Sequence, residues 1–357
     1  MRHNDHTTSD PTPFLGCCRG GVEPGARLFR GVYTEHLLDD ALAALAQRCQ
    51  AALLTAPAGS VICGSTALAL LQVALPSQFE REANQRIHLL CSTSARATRR
   101  PGIVVHRADH HPQVFGDVLG VPLADPIVCW RQLINCWLSA KAVGTPRIAS
   151  RLGFIVDPTL VPLAWSNLQV EPQPSDAYRL PPPGYFTTPG KRLFLGLVQV
   201  GDGLMRRQNP LLKHTDVIAA LDKDSGSRGI RLARLICSHM RENTDAPTET
   251  WARLVAVDAG FPVPRVNHPI TGPCGNALFY LDMAWLKRKT AYEYHGKWHF
   301  EATDKALADQ ARRNELQRLG WRVIEVTAED LVHPDSLISR LDDALTSHSH
   351  TRESTVM

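Results

Sequence analysis

The spacing of apolar residues changes character along the chain. It is helical in LDDALAALAQRCQAALLTA and GSTALALLQVAL, and it alternates as in a strand in RIHLLCS and GIVVHRA. Prolines interrupt the pattern between about residues 155 and 200, and proline disrupts helix interiors and central strands. Helical spacing returns in HTDVIAALDK and RGIRLARLICSHMREN. The pattern therefore predicts a mixed α/β region, a linker or irregular insertion, and a second region that begins with helices.

The last hundred or so residues have the clearest pattern, and helix-end signals support it. Pro247 suits the first position of a helix, and Gly320 suits the position just after one. The predicted elements, in order, are a helix at Pro247–Asp258, strands at Arg265–Ile270, Ala277–Ala284 and Thr290–Tyr294, a helix at Thr303–Leu319, a strand at Trp321–Val326 and a helix at Asp335–Leu345. This αβββαβ order, followed by a last helix, predicts an α/β domain.

The length of 357 residues suits two or three domains. The first residues are rich in polar residues, proline and glycine without periodicity, which predicts disorder. The predicted segments are a disordered lead-in at 1–25, a mixed α/β domain at 26–145, a proline-rich linker with a helical connector at 146–245, a second α/β domain at 246–347 and a tail at 348–357.

Charge and cysteine content narrow the class of protein. The net charge is only +4, but residues 287–322 carry nine Lys and Arg against five Asp and Glu, which favours an anionic partner for that segment. The nine cysteines include no CxxC pair, which favours reduced thiols in a cytoplasmic protein. The start lacks an apolar signal segment, and prolines and glycines interrupt the longest apolar stretch, residues 51–75. Secretion and membrane spanning are therefore not expected.

Two acids stand on neighbouring apolar runs in LDMAWLKRKTAYEYHGKWHF, residues 281–300. If Lys287 and Arg288 form a two-residue hairpin loop, opposed residue numbers sum to 575 and Asp282 faces Glu293. Their Cβ atoms would then lie about 4.5–5.5 Å apart, where like charges are destabilising unless a cation relieves them. Mg²⁺ takes carboxylate, water and phosphate oxygens, so the pair predicts half of a phosphodiester-cleaving metal site.

Alternatives to this hypothesis stay open. The basic turn of Lys287 and Arg288 suits contact with a DNA backbone, but it is not a preferred hairpin turn, and a loop one residue longer would separate the acids onto opposite faces. Glu249 is either a third site acid or a first-turn glutamate that favours its own helix end. Arg312 has helical spacing from Asp309, which predicts either a surface ion pair or a phosphate contact.

Five stretches of the C-terminal region occur in a characteristic order: TETWARLVAVDAGFPVP, LFYLDMAW, AYEYHGKWHF, DQARRNELQRLGWRVIEV and AEDL. Together they resemble the nuclease-like domain related to very-short-patch-repair endonucleases, within the PD-(D/E)xK superfamily. The resemblance covers about residues 246–345 and implies a restriction-endonuclease-like core with metal-dependent endodeoxyribonuclease activity. The family's site positions match Glu249, Asp282, Glu293, His299, Asp309 and Arg312.

One position departs from the family's pattern. The superfamily's lysine would fall two residues after Glu293, where this chain has His295, and nearer relatives have EYDG where this chain has EYHG. An imidazole can orient or deprotonate water at neutral pH, but it does not supply a permanent charge. Lys297, in the following turn, is another candidate for substrate contact, and His299 is either a packed side chain or an acid/base. Hydrolysis, and DNA binding without hydrolysis, both remain open.

Four stretches stand out in the N-terminal region: LFRGVYTEH, AALLTAPAGSVICGSTALALLQVALP, GIVVHRADHH and GVPLADPIVCWRQLI. In this order they resemble the AbiEi-type antitoxin-like region often found upstream of this nuclease-like domain, over about residues 26–138. Such antitoxins usually begin with a DNA-binding winged helix. Only about 25 residues precede RLFRGVY here, so we expect that helix pair to be absent or truncated.

Three other motifs are not expected to form sites. GYFTTPGKR, from Gly184, has an Arg where a P-loop needs Ser or Thr, and GDG at Gly201 lacks the third glycine of a dinucleotide site. A polar loop after a strand, rather than a metal site, is the expected setting of the histidines in VVHRADHH.

The sequence therefore predicts a DNA endonuclease of repair or defence that uses Mg²⁺ or Mn²⁺. Asp282 and Glu293 would hold the metal, and Glu249 would either orient metal-bound water or complete the metal's ligand shell. The expected assisting groups are His295, Lys297 and His299, and the expected phosphate contacts are Lys287, Arg288 and Arg312. The alternatives are a catalytically inactive DNA-binding or antitoxin-like regulator with a toxin or antitoxin partner, and a protein-interaction module of such a pair.

Overall fold

A computed structural model describes residues 15–16, 26–29, 32–34, 36–95, 100–139, 189–224, 226–272, 274–294 and 303–346. The chain divides into two compact units, Met1–Leu133 and Ile134–Met357. Both units combine helices with β-sheet, so the protein is a mixed α/β protein, as predicted.

In its described residues, the first unit contains two sheets, three complete helices and the first part of a fourth helix. Its elements are β1 (Leu15–Gly16), β2 (Ala26–Phe29), β3 (Val32–Thr34), α1 (Ala41–Leu53), β4 (Val61–Ile62), α2 (Gly64–Leu70), α3 (Ser77–Gln85), β5 (Ile87–Ser92), β6 (Ile103–Ala108), β7 (Gly116–Val118), β8 (Val121–Leu123) and α4 (Pro126–Ser139), which crosses the unit boundary. The sheets have the strand orders β1-β3-β2 and β6-β5-β4-β8-β7. The predicted helices and strands of this region are confirmed. Strand β1 lies within the predicted disordered lead-in, and the rest of 1–25 lies outside the described residues.

His106 does not belong to the polar loop predicted around it. It lies on β6, and its Nε2 is 2.9 Å from Nδ1 of the buried His88 on β5. Glu82 forms an ion pair with the other side of His88 at 3.3 Å. Burial and the neighbouring His88 lower the pKa of His106 to about 4. His110 and His111, in contrast, lie exposed after the strand, as expected.

The second unit begins with helices and continues with a four-stranded sheet. Its helices are α5 (Pro189–Leu204), α6 (His214–Lys223), α7 (Ile230–His239), α8 (Pro247–Asp258), α9 (Thr303–Arg318), α10 (Ala328–Val332) and α11 (Asp335–Thr346), and its strands are β9 (Arg265–Thr271), β10 (Ala277–Trp285), β11 (Thr290–Tyr294) and β12 (Arg322–Val326). The sheet order is β12-β11-β10-β9, and only β11 and β12 are parallel. The predicted αβββαβ order is confirmed.

Two elements of this unit differ from the prediction. Helix α5 begins inside the predicted proline-rich linker, and the linker residues 146–188 lie outside the described part of the chain. The short helix α10 was not predicted, although TAED carries its signal. The hydroxyl of Thr327 accepts the backbone N–H of Asp330, and the carboxylate of Asp330 accepts the N–H of Thr327, which is a capping box.

A buried ion pair joins α5 to α8. Asp202 and Arg253 are both almost fully buried, and Nη2 of Arg253 donates to Oδ2 of Asp202 at 2.5 Å. The same oxygen accepts the hydroxyl of Thr250 at 2.7 Å, and Oδ1 accepts the backbone N–H of Arg241 at 2.7 Å. The GDG sequence therefore serves helix packing: a Cβ at Gly201 would lie 2.5 Å from the side chain of Met240.

The sheet of the second unit is packed against α9. Leu316 of this helix is fully buried in one apolar cluster with Ile270, Leu281, Ala284 and Ala291. Among the helices that the structure describes, none is both long and apolar enough to cross a membrane. Helix α9 packs on β10 and β11, and this packing places polar residues of α9, such as Arg312, beside the ends of the two strands.

Candidate functional site

The β10–β11 hairpin has the predicted register with a different loop. Met283 pairs with Tyr292, and Trp285 pairs with Thr290, so opposed numbers sum to 575 as predicted. The loop is not the predicted two-residue turn: residues 286–288 form a 3₁₀ turn and Lys289 adopts φ 44°. The observed loop is longer than the predicted loop by one residue at each end. Because the extension is symmetric, the cross-strand register is unchanged.

Asp282 and Glu293 are the next residues in this register. The backbone N–H of Tyr294 donates to Oδ2 of Asp282 at 2.8 Å, which draws the carboxylate of Asp282 across to β11 beside Glu293. Asp282 is partly exposed, and Glu293 is 9% exposed. The hairpin therefore brings the two predicted metal-site acids together at the end of the paired strands.

Glu249 approaches from the first turn of α8 and is buried. Its Oε2 accepts the backbone N–H of Asp245 and Nδ2 of Asn267, both at 3.0 Å. A first-turn glutamate commonly reaches back to the N-cap amide, which here would be Ala246; Glu249 instead reaches the residue before it. The side chain is thus held by two donors with its carboxylate on the side of Asp282.

The charge of Asp282 couples the three acids, which we call the acidic cluster: Glu249, Asp282 and Glu293. Burial, and then the charge of Asp282, raise the pKa of Glu249 to about 7. Burial raises the pKa of Glu293 to about 7, where Arg312 opposes the shift and Asp282 adds to it. Near neutral pH, both glutamates are therefore close to their titration midpoints, and a cation would favour their ionised forms.

Arg312 is a cation in contact with the acidic cluster. Its Nη2 donates to Oε1 of Glu293 at 2.5 Å and to the backbone oxygen of Tyr280 at 2.6 Å. Its guanidinium carbon also lies 5.4 Å from the centre of the Phe279 ring. The predicted partner Asp309 has no described side chain. Arg312 thus lies beside the site, as the phosphate-contact hypothesis requires, and its charge opposes the rise in the pKa of Glu293.

The other predicted residues do not join the cluster in the described structure. Lys287 and Arg288 lie in the hairpin turn, at the opposite end of the paired strands from Asp282. Three strand residues separate that turn from Asp282, so its first residue lies roughly 13 Å away along the strand. His295, Lys297 and His299 lie outside the described residues.

The donor set of the acidic cluster fits a hard divalent cation. Within the described ranges, no group of three or more His, Cys, Asp or Glu residues is arranged to hold a metal ion. Mg²⁺, however, commonly takes one or two carboxylates from a protein and fills its other positions with water and substrate phosphate. Asp282 and Glu293 offer that pair: burial first, and then the charge of Asp282, raise the pKa of Glu293, while Arg312 opposes the shift. The set does not fit a closed four-ligand zinc site.

Four residues near the cluster were not predicted from the sequence. Asn267 orients Glu249, and Asp245 bonds both Glu249 and Arg207. The guanidinium carbon of Arg207 lies 4.4 Å from the centre of the Tyr280 ring. One of the four has a backbone conformation that matches its residue type: Asn267 has a φ of 44°, and asparagine adopts positive φ more readily than most residues. No spacing in the sequence connects the four residues.

Comparisons with known proteins do not settle a family for the chain. No protein-family model matches it, and no solved structure matches it significantly. Two uncharacterized proteins from two strains of Mycobacterium tuberculosis, MT2308 and Rv2248, are 31% identical to it over 129 residues. The matched part is 36% of this chain and 47% of each relative. The chain thus matches about half the length of these relatives.

Proposed function

We propose that the second unit is a restriction-endonuclease-like domain of the PD-(D/E)xK type that hydrolyses DNA phosphodiesters with Mg²⁺ or Mn²⁺. The observation that carries the proposal is the acidic cluster: a hairpin register that sets Asp282 beside Glu293, with Glu249 buried against them. The αβββαβ order of α8, β9 to β11, α9 and β12 supports it, because that order is what the superfamily's core requires.

Each member of the cluster has a distinct role in this proposal. Asp282 and Glu293 hold the metal, which when bound supplies positive charge to the scissile phosphate and lowers the pKa of water. Glu249 has a pKa of about 7, so its carboxylate accepts a proton from water and returns it near neutral pH. Asn267 holds Oε2 of Glu249 in place for this transfer. Arg312, beside Glu293, contacts the phosphate as negative charge develops on it.

A second candidate function is DNA binding without hydrolysis, in an antitoxin-like regulator. Arg312 favours it, because its guanidinium already bonds Glu293 where a metal would otherwise compensate the charge. The resemblance of the first unit to AbiEi-type antitoxins adds a toxin or antitoxin protein as the partner. In this case Asp282 and Glu293 would offset the positive charge of Arg312 in the folded protein and would have no chemical role.

A cleavage assay separates the two functions. Purified protein is incubated with supercoiled, single-stranded and mismatched DNA in Mg²⁺ or Mn²⁺, beside an Asp282→Ala, Glu293→Ala double variant. We expect cleavage by the wild type and none by the double variant. Salt-sensitive DNA binding by both proteins with no cleavage by either would establish the regulator instead. The absence of any DNA binding would leave a protein-interaction module.

A further inference from the structure

We propose that Arg207 and Tyr280, which we call the stacked pair, form a binding site for an unpaired nucleic-acid base next to the acidic cluster. The inference rests on the proposed DNA function and adds the form of DNA that the site selects: a single strand, or a nucleotide turned out of its duplex.

The stacked pair is exposed and directly connected to the acidic cluster. Tyr280 is 37% exposed, and the side chain of Arg207 is 28% exposed. Tyr280 precedes Asp282 by two residues on β10, so the two side chains emerge from the same face of the sheet about 7 Å apart along the strand. The backbone oxygen of Tyr280 accepts Arg312, which also bonds Glu293. A base on Tyr280 would therefore lie about one nucleotide from the acids.

Asp245 holds the guanidinium of Arg207 over the Tyr280 ring. Nε of Arg207 donates to Oδ2 of Asp245 at 2.8 Å, and Nη2 forms an ion pair with the same oxygen at 2.6 Å. The backbone N–H of Asp245 in turn donates to Oε2 of Glu249. These contacts fix a planar guanidinium 4.4 Å from the ring centre, so the aromatic surface is ordered before any ligand binds. Pre-ordering reduces the entropy cost of binding.

The chemistry of the stacked pair favours a base over a bare phosphate. Asp245 already neutralises Arg207, so the pair offers little net charge to a phosphate group. It does offer two flat π surfaces, and aromatic and guanidinium planes are what single-stranded nucleic acids stack on. A base within a duplex has both faces covered by its neighbours, so only an unpaired base can occupy this position.

Anisotropy measurements with labelled oligonucleotides test the proposal. Single-stranded DNA and the matching duplex are titrated in EDTA against wild type, Tyr280→Ala, Tyr280→Phe and Arg207→Lys. We expect Tyr280→Ala and Arg207→Lys to weaken binding of the single strand about tenfold, because each removes a stacking plane. Tyr280→Phe keeps the ring and should bind as the wild type does. Duplex binding should change less than about twofold in every variant.

Arg318→Ala is the matched control, since it removes one exposed arginine from the same unit. Equal single-strand binding by all variants would overturn the stacking proposal while leaving the nuclease proposal intact. So would an Arg207→Lys variant that binds as the wild type does, because charge alone would then suffice. If the wild type binds neither DNA, the DNA function itself fails. Melting curves identify a Tyr280→Ala variant that does not fold, in which case Arg207→Lys decides.

Discussion

An Asp282→Asn variant is expected to lose DNA cleavage about a thousandfold or more while folding at least as stably as the wild type. The loss follows because asparagine is a poor ligand for Mg²⁺ in place of an ionised carboxylate. Asparagine keeps the shape of the side chain and an oxygen that can accept the backbone N–H of Tyr294. The variant should therefore change the charge of the site and leave the hairpin in place.

The difference in stability between Asp282→Asn and the wild type should depend on pH. Glu249 and Glu293 have pKa values raised from 4.5 to about 7 in the folded protein, so the folded state binds more protons than the unfolded state between these values. Stability of the metal-free wild type is consequently lost as pH rises from 4.5 through 7. Asp282 contributes to both shifts, so its replacement should recover about 1 kcal/mol above neutral pH and little in acid.

Urea unfolding across this pH range and a cleavage assay on the same preparations check both halves of the prediction. Glu329→Gln is a suitable control, because it removes an exposed carboxylate from the same unit. An Asp282→Asn variant that cleaves DNA at the wild-type rate would remove Asp282 from the catalytic site. A variant that is much less stable than the wild type at every pH would assign Asp282 a structural role.

An Arg253→Met variant is expected to destabilise the second unit by about 3–5 kcal/mol, because it leaves the buried carboxylate of Asp202 without its cation. For a unit of this size, the melting temperature should fall by about 10 °C. Adding Asp202→Asn should restore part of the loss, since the amide removes the buried charge and can still accept the hydroxyl of Thr250. The pair fixes α5 against α8, which carries Glu249, so the single variant should also impair the site.

Thermal and urea unfolding of both variants measure this effect, with Arg318→Met as the control for an exposed ion pair. The control should not change stability measurably. If Arg253→Met melts with the wild type, the buried pair contributes nothing to the packing of α5 on α8. If the double variant is less stable than Arg253→Met alone, the uncompensated charge of Asp202 is not the cause of the loss.

The helices and strands from Pro247 onward, apart from α10, were predictable because each follows from a local pattern. Pro247 and Gly320 mark helix ends, and strand alternation has a period of two, which constrained the β10–β11 register even though the loop differed. Asp282 and Glu293 could be brought together on that basis alone. The TAED capping box of α10 was also present in the sequence, and only its recognition was missing.

The contacts that could not be predicted from the sequence join distant segments of the chain. Arg312 was predicted to form either an ion pair along its own helix or a phosphate contact, and its contact with Glu293 forms only when α9 packs on the sheet. Asn267 of β9 reaches Glu249 across 18 positions of sequence, and Arg207 reaches Tyr280 across 73 positions. No periodicity records such pairings, because each is set by the tertiary arrangement of helices and strands.

Calorimetric titration of Mn²⁺ tests most directly whether the acidic cluster is a metal site. The metal binds the ionised carboxylates of Glu249 and Glu293, whose pKa values are about 7. We therefore expect tight binding of one ion at about pH 8, binding with proton release at about pH 7, and much weaker binding at about pH 5.5. We also expect Asp282→Asn to abolish the binding and Glu329→Gln to leave it unchanged. A wild-type protein that binds no Mn²⁺ at either pH, or an Asp282→Asn variant that binds it as the wild type does, would contradict the central claim.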